Sequence, residues 1–438
     1  MLRCSGGTAT VNRKAESGSR KVDVGSGKKS LPPAYRNSPS RKESWRGSVE
    51  RLAWGGKGVG HAEDGRLLLL EAPLALFPGE VVEAQVIWKA RHGEGRVTRW
   101  ISRDPRRVQA ACPVAEVCGG CDLWEAGRHT AELKRQMAAD LLRRQLGAEV
   151  PWTWQPAPVD ARRHRIQLHW DGTALGYFQR HSHTLVPVSA CPAAASPLSD
   201  AIPRLKEAML GKALPSRPGR WELATGTPAL VVWATDEQGR TWQLQPDGWQ
   251  RSTEPIRHRL GEATLLQEPG AFFQVSPPWA ADAFGTLLRS WDLKGGTLFD
   301  LYGGVGLFSV LLGDRFRHRV LVESGATAVA WARRNLEAAG LSSECLVADV
   351  AAWVPEGLGE PGDVILLDPP RAGLEPALCD RLATAGAGTL VLVGCDGAAF
   401  CRDVKRLSTA WNLDQLAVLD LFPLTSLVEC VALLTRRP

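Results

Sequence analysis

The chain has 438 residues, 44% hydrophobic and 23% charged, the composition of a globular protein too long for one ordinary core. No eighteen apolar residues run together and the N-terminus lacks the apolar core of a secretory signal, so the sequence argues against a membrane partner and for a cytoplasmic protein. The net charge of +6 is uneven: the first 50 residues hold 11 Lys or Arg against 4 Asp or Glu, and the remaining 388 hold 42 against 43.

Residues 1–44 are rich in Gly, Ser, Lys and Arg with almost no large apolar side chains, and are expected to form a disordered basic tail. Over 45–104, short apolar runs are broken by Gly-Gly, Asp-Gly and Pro-Gly, the pattern of a small all-β barrel or sheet. It leads into a basic stretch, "KARHGEGRVTRWISRDPRR" (89–107), which with the tail is the candidate for phosphate contacts. A central α+β domain is expected over 105–260. It begins with "CPVAEVCGGC" (112–121), where Cys112, Cys118 and Cys121 cluster around a Gly-Gly pair. A disulfide framework belongs to small secreted domains, whereas a tight cluster in a chain of this kind more often holds a metal. A helix is predicted from about Gly127 to Gln145, strands at 164–170 and 173–179, and a hairpin with an Asp-Glu-Gln-Gly turn in "VVWATDEQGRTWQLQPDGW". The 17 tryptophans read as core and sheet residues.

From 261 to 438 strands and helices alternate, which predicts a doubly wound, mostly parallel α/β sheet with ligands beyond the carboxyl ends of its strands. Asp300, Glu323, Asp368 and Cys395 all fall at or near such ends. "DLYGGVGLF" (300–308) places Gly304 and Gly306 in a turn between strand and helix, where bare backbone can approach a ligand. Glu323 suits a pair of ribose hydroxyls. The turn alone fits a dinucleotide equally well. Asp349 in "LVADV", placed to meet an adenine amine, and the Asp-Pro-Pro of "LLDPPRAGL" favour S-adenosylmethionine. Cys395 follows the strand "TLVLVG" and opens a helix, a position expected to lower a thiol pKa. Glu429 lies in an apolar strand; facing inward, it would have a raised pKa suited to proton transfer. A thiolate and a base together solve one problem. Carbon 5 of uracil is a poor nucleophile until a thiolate adds at carbon 6.

From about residue 46 to 436 the chain resembles the RNA (uracil-5-)-methyltransferase family, in particular its ribosomal members with a TRAM domain and an iron–sulfur cluster. "RLAWGGKGVGHAEDGRLLLL…LFPGE" resembles the TRAM barrel, and "CPVAEVCGGCDLW" the family's Cys-x5-Cys-Gly-Gly-Cys segment. The resemblance implies a 4Fe–4S cluster on Cys112, Cys118, Cys121 and Cys191, the last in "RHSHTLVPVSACP"; spacing alone leaves zinc as an alternative. It implies S-adenosylmethionine contacts from Gln274 in "GAFFQVS" and from Tyr302, Glu323 and Asp368. It makes Cys395 the nucleophile and Glu429 the base. The expected partner is RNA, ribosomal first and transfer RNA second, bound by a monomer. The sequence departs from the family at the nucleophile loop, Gly394-Cys395-Asp396-Gly397 instead of Ser-Cys-Asn-Pro. Leu424 and Leu427 replace two histidines, Ser276 an asparagine and Gly303 a common cysteine. The altered loop motivates a competing expectation, a non-catalytic RNA-binding or ribosome-assembly paralogue. A dinucleotide-dependent oxidoreductase would leave Asp-Pro-Pro and the thiol unexplained.

Overall fold

The computed structural model describes residues 42–147, 150–227 and 231–438. The expected basic tail lies outside the described residues as far as residue 41, and Lys42–Ser44 already belong to a strand.

Strands β1 (Lys42–Ser48), β2 (Arg51–Leu52), β3 (Gly58–His61), β4 (Leu67–Glu71), β5 (Val81–Trp88) and β6 (Gly93–Ser102) form one sheet in the order β1-β5-β6-β4-β3-β2. Its two edge strands are almost continuous in sequence. Between them, Val49 accepts a hydrogen bond from Gly79 N–H at 2.7 Å, and Glu50 N–H donates to Val59 at 2.8 Å. Alternate residues Leu68, Leu70, Val82, Ala84 and Val86 point into a common core, as the two-residue period of a strand requires. The basic stretch that follows is largely neutralised. Arg107 is buried against Glu80, donating from Nε and Nη2 at 2.6 and 2.7 Å, and also pairs with Glu125. Burial opposes charge on Glu80, but Arg107 and the N–H groups of Asp104 and Phe77 outweigh it and hold the carboxyl below its usual pKa. Arg107 is therefore a structural cation and not a phosphate contact, while Arg91, Arg96 and Arg103 remain exposed.

A 3-10 turn (Trp124–His129) precedes α1 (Thr130–Leu146), the helix expected from Gly127. Gly127 itself, at φ +50, breaks the helical path. After β7 (Thr153–Gln155) come β8 (Arg165–Trp170), β9 (Leu175–Phe178), β10 (Leu185–Pro187), α2 (Ser196–Leu210), β11 (Gly219–Thr225), β12 (Val232–Asp236), β13 (Thr241–Gln245) and β14 (Gly248–Arg251). The seven strands β8–β14 make an antiparallel sheet, and α2 covers it through Leu198, Ile202 and Leu205. At the predicted hairpin turn, Asp236 Oδ1 accepts from Gln238 and Arg240 N–H at 3.1 and 2.9 Å. None of the 17 tryptophans is exposed, which agrees with their reading as packing residues.

The C-terminal part comprises β15 (Ile256–Leu260), β16 (Ala263–Gln267), α3 (Pro277–Ser290), β17 (Gly295–Leu301), α4 (Leu307–Leu311), β18 (Phe316–Glu323), α5 (Ala326–Ala338), β19 (Ser343–Val347), α6 (Val350–Trp353), β20 (Val364–Leu367), α7 (Pro376–Leu382), β21 (Thr389–Gly394), α8 (Gly397–Leu407), β22 (Trp411–Leu419) and β23 (Glu429–Arg436). The sheet order is β19-β18-β17-β20-β21-β23-β22-β7, parallel except where β23 pairs antiparallel with both neighbours. Both faces are covered, so β20 is continuously apolar. Ile365 and Leu367 meet α7, α8 and α1 on one side, and Val364 and Leu366 meet α3 on the other. Two contributions come from far upstream: α1 packs Ala138, Leu141 and Leu142 into this core, and β7 extends the sheet beside β22. The strand order reverses between β17 and β20, which opens the crevice where doubly wound sheets bind ligands. Among the described residues no helix is long and apolar enough to cross a membrane.

Lys134 of α1 is fully buried, ion-paired to Asp420 and donating to the Phe422 carbonyl at 2.9 Å. Lys134→Ala would strand Asp420 as an uncompensated buried charge, a loss of about 3–5 kcal/mol. Urea unfolding followed by tryptophan fluorescence measures it; a loss below about 1 kcal/mol would mean that water reaches Asp420.

Candidate active site

The Gly-rich turn leaves β17 through Tyr302, whose φ of +62 is unusual for a residue with a side chain. Gly304 (φ +53) and Gly306 (φ +91) continue the turn, and nothing lies within 4 Å of where a Gly304 Cβ would be, so its backbone is open to a ligand. At the end of β18, Glu323 is fixed by three donors. Oε1 accepts from Ser324 Oγ (3.0 Å) and Gly325 N–H (2.8 Å), and Oε2 from Gly304 N–H (3.3 Å). Asp300, wholly buried beneath the turn, accepts from Ser309 N–H and Oγ at 3.1 and 2.6 Å; burial pushes its carboxyl up to about 6. Asp349 caps α6, accepting Ala352 N–H at 2.9 Å, and acts electrostatically on Tyr302; burial and then Asp349 raise that phenol to about 12. Gln274 follows Phe273, which stacks on His258 with ring centroids 4.5 Å apart and is buried with Val305 and Leu307 of the turn. Tyr302, Gly304, Gly306, Glu323, Asp349 and Asp368 thus stand at the carboxyl edge of the sheet, with Gln274 next to the buried Phe273.

Across the crevice lies the reactive pair. β21 and β23 run antiparallel with Val393 opposite Val431 and Gly394 opposite Cys430. One more step of that register brings Cys395 opposite Glu429. Glu429 is buried, and its carboxyl is raised well above the ordinary value by burial and by Asp368, with Arg371 opposing. Burial and Asp300 push Asp368 up to about 7. The thiol contradicts the sequence expectation. α8 starts at Gly397 and Asp396 caps it, accepting Ala399 N–H at 2.8 Å, so Cys395 sits one residue before the cap. Burial, Glu429 and Asp368 push the thiol up to about 11, and Arg371 only partly offsets them. Cys395 therefore rests as a neutral thiol beside carboxyls that readily hold protons. The altered loop also has a physical reason: a Cβ on Gly397 would lie 2.4 Å from Leu141 Cδ2 and 2.6 Å from Trp54 Cζ2. Arg371 escaped the sequence reading; its only signal was its place after Asp-Pro-Pro.

Cys112, Cys118, Cys121 and Cys191 line one cavity of about 20 Å³ together with Arg163, Tyr177 and Trp124. The first glycine of the Gly-Gly pair is needed there. Gly119 N–H donates to the Phe178 carbonyl at 3.0 Å, and a Cβ on Gly119 would lie 2.9 Å from that oxygen. Two donors face sulfur: Arg163 Nη2 lies 3.3 Å from Cys121 Sγ and Gly120 N–H 3.4 Å from Cys118 Sγ. Burial raises the thiols of Cys112, Cys118 and Cys121. Four thiols around one cavity with N–H groups aimed at sulfur are a donor set suited to a thiophilic metal centre. Among the described residues no three His, Cys, Asp or Glu are assembled as ligands of a single ion.

The sheet order with one reversed strand, the glycine turn and the acidic strand ends define a methyltransferase-class α/β domain. Residues 362–437 match the family described as tRNA (Uracil-5-)-methyltransferase. A 23S rRNA (uracil(1939)-C(5))-methyltransferase of Chromohalobacter salexigens is 32% identical, covering 89% of each chain. An uncharacterised RNA methyltransferase of Streptomyces coelicolor is also 32% identical, over 90% of this chain and 93% of its own length. The crystal structure of Pyrococcus abyssi tRNA (uracil-54, C5)-methyltransferase with S-adenosyl-L-homocysteine superposes with a TM-score of 0.68 at 27% identity, covering 89% of this chain and 100% of that one. The chain belongs to the family of S-adenosylmethionine-dependent RNA uracil-5-methyltransferases.

With Glu429 as the base, its raised carboxyl must be ionised before it can accept a proton, so kcat should fall on the acid side of that raised pKa. Arg371 favours the anionic forms, so Arg371→Gln should move that acid limb to higher pH by up to about one unit. A pH–rate profile with an unmoved limb would remove Arg371 from the site's electrostatics. Gly397→Ala should destabilise the protein by about 1–3 kcal/mol through overpacking and slow methylation, read by thermal unfolding and initial rates.

Proposed function

We propose that the protein methylates carbon 5 of a uridine in RNA, with 23S ribosomal RNA as the substrate. The observation that carries this reading is the nearness of Cys395 to Glu429 and Asp368 where β21 ends and β23 begins. Cys395 loses its proton to solvent and its sulfur adds to carbon 6 of the uracil, opening the 5,6 double bond so that carbon 5 becomes an enolate carbon. S-adenosylmethionine supplies the electrophilic methyl group. Carbon 5 takes it, and S-adenosylhomocysteine departs. Glu429 removes the carbon-5 proton, the carbon 6–sulfur bond breaks, and its electron pair returns to Cys395. Glu323 binds the ribose hydroxyls, Gln274 and Tyr302 bracket the donor, and Asp349 takes the adenine amine. Retention of this pair speaks against a non-catalytic paralogue.

Cys112, Cys118, Cys121 and Cys191 would hold a 4Fe–4S cluster, with zinc as the alternative; the reaction transfers no electron, so the centre organises the fold around the RNA. The curled sheet β1–β6 is read as a TRAM domain, with Arg91, Arg96 and Arg103 toward phosphates and the target base flipped out of its stack.

Anaerobically purified protein, S-adenosylmethionine and transcripts carrying 5-fluorouridine test the reaction. Ribosomal RNA should give a denaturation-resistant adduct that is lost in Cys395→Ala, since fluorine cannot leave as a proton does. An adduct with transfer RNA alone would reassign the substrate, and none with either would remove the covalent reading. Glu429→Gln should cut turnover by about 10²–10⁴-fold and accumulate a methylated adduct on ordinary uridine. Iron, sulfide and zinc analysis distinguishes the two metal centres.

A further inference from the structure

The loop between β22 and β23 (residues 420–428) delivers Glu429 to the crevice, and a segment some three hundred residues upstream holds it in place. Asp122 and Leu123 both donate backbone N–H bonds to the Leu424 carbonyl, at 3.1 and 3.0 Å. Leu424 adopts φ +64, the conformation that turns its carbonyl toward them. The Asp122 carboxylate grips Ser426 twice, taking its N–H on Oδ1 at 2.8 Å and its Oγ–H on Oδ2 at 2.7 Å. Ser426 is buried, and Gly56 of the β2–β3 turn closes over it: a Cβ there would lie 3.0 Å from Ser426 Cβ. Only Leu427 and Val428 separate Ser426 from Glu429.

Asp122 is also the residue after Cys121, one of the four cysteines of the sulfur-lined cavity, and the Cys121 carbonyl is held by Arg180 Nη2 at 3.1 Å. The cysteine loop and the base loop are therefore bonded directly, through four hydrogen bonds between two residues of each. A displacement of about 1 Å at a catalytic group can cost on the order of 10² in rate, so the point that fixes the loop governs the base it carries.

We infer that Asp122 is a positioning residue for proton removal by Glu429, and that the cysteine-lined loop acts on the chemistry through this grip. The inference rests on Glu429 being the base. It predicts a specific lesion. If Asp122 is removed, thiol addition and methyl transfer still proceed, whereas elimination waits for a misplaced carboxylate.

The test uses the full-length protein with its native metal content, S-adenosylmethionine and unmodified uridine RNA. Asp122→Ala should lower kcat by about 10–100-fold with KM for both substrates within about twofold, and should build up a denaturation-resistant methylated adduct. Asp122→Asn should restore kcat to within about threefold, because its amide accepts from Ser426 N–H and donates to Ser426 Oγ. A variant that is only poorly folded loses active fraction and builds up no adduct. Metal content of each variant is measured alongside. Asp122→Ala without adduct, or Asp122→Asn as slow as Asp122→Ala, overturns the inference. If Asp122→Ala does not fold, Ser426→Ala decides by the same split, and wild-type kcat with no adduct overturns it. Glu429→Gln runs in parallel: if it accumulates adduct and the Asp122 variants do not, only the positioning role fails; if it does not, the base assignment fails.

Discussion

Strand β23 runs against the other strands of its sheet, and its antiparallel hydrogen bonds to β21 set residue 429 across from residue 395. A parallel strand in that slot would present its opposite end and leave Cys395 without a carboxyl partner. Reversing one strand therefore brings a group from the start of β23 to the carboxyl edge, where the parallel strands have gathered the cofactor residues. The loop 420–428 has to make that reversal. This is why so much of the molecule packs on it: Lys134 of α1, Asp122 beside the cysteines, Gly56 of the N-terminal sheet, and Trp279 of α3, which donates to the Asp420 carbonyl at 2.7 Å.

The electrostatics follow from the same crowding. Burial discourages Asp300, Asp368 and Glu429 from ionising, and charge adds to it along a chain, Asp300 acting on Asp368 and Asp368 on Glu429. Cys395 then rests as a neutral thiol, because a thiolate would be a further negative charge in the same place. Arg371 is the cation that opposes this build-up. A neutral thiol is a far weaker nucleophile than a thiolate, so resting neutrality protects Cys395 from adventitious chemistry.

The alternating apolar runs after residue 295 were legible as a doubly wound sheet because strand and helix periods are local properties. The glycine turn and the acidic strand ends were legible for the same reason. Cys395 and Glu429 could be named from the sequence, but their meeting could not, since it depends on the register of β23. The thiol pKa was misjudged because proximity to a helix end is visible locally, while the opposing carboxyls arrive from residues 368 and 429. Lys134 with Asp420 and Asp122 with Ser426 leave no sequence signal at all; each joins parts of the chain about three hundred residues apart. Within the basic run at 89–107, Arg107 gives no local sign of its partners, because Glu80 and Glu125, outside the run, claim it.

β7 has a consequence for how the molecule is made. Thr153–Gln155 lie at the border of the last sheet, alongside Ala417–Leu419, and α1 just before them fills that sheet's core with Ala138, Leu141 and Leu142. On a ribosome these residues emerge long before the strand that shelters them. Until β22 is synthesised, an apolar helix face and an unpaired strand stay exposed to solvent, a state prone to wrong pairing. The last strands of the chain are thus also its slowest contacts to form, and the protein that emerges first must be kept from aggregating until they arrive.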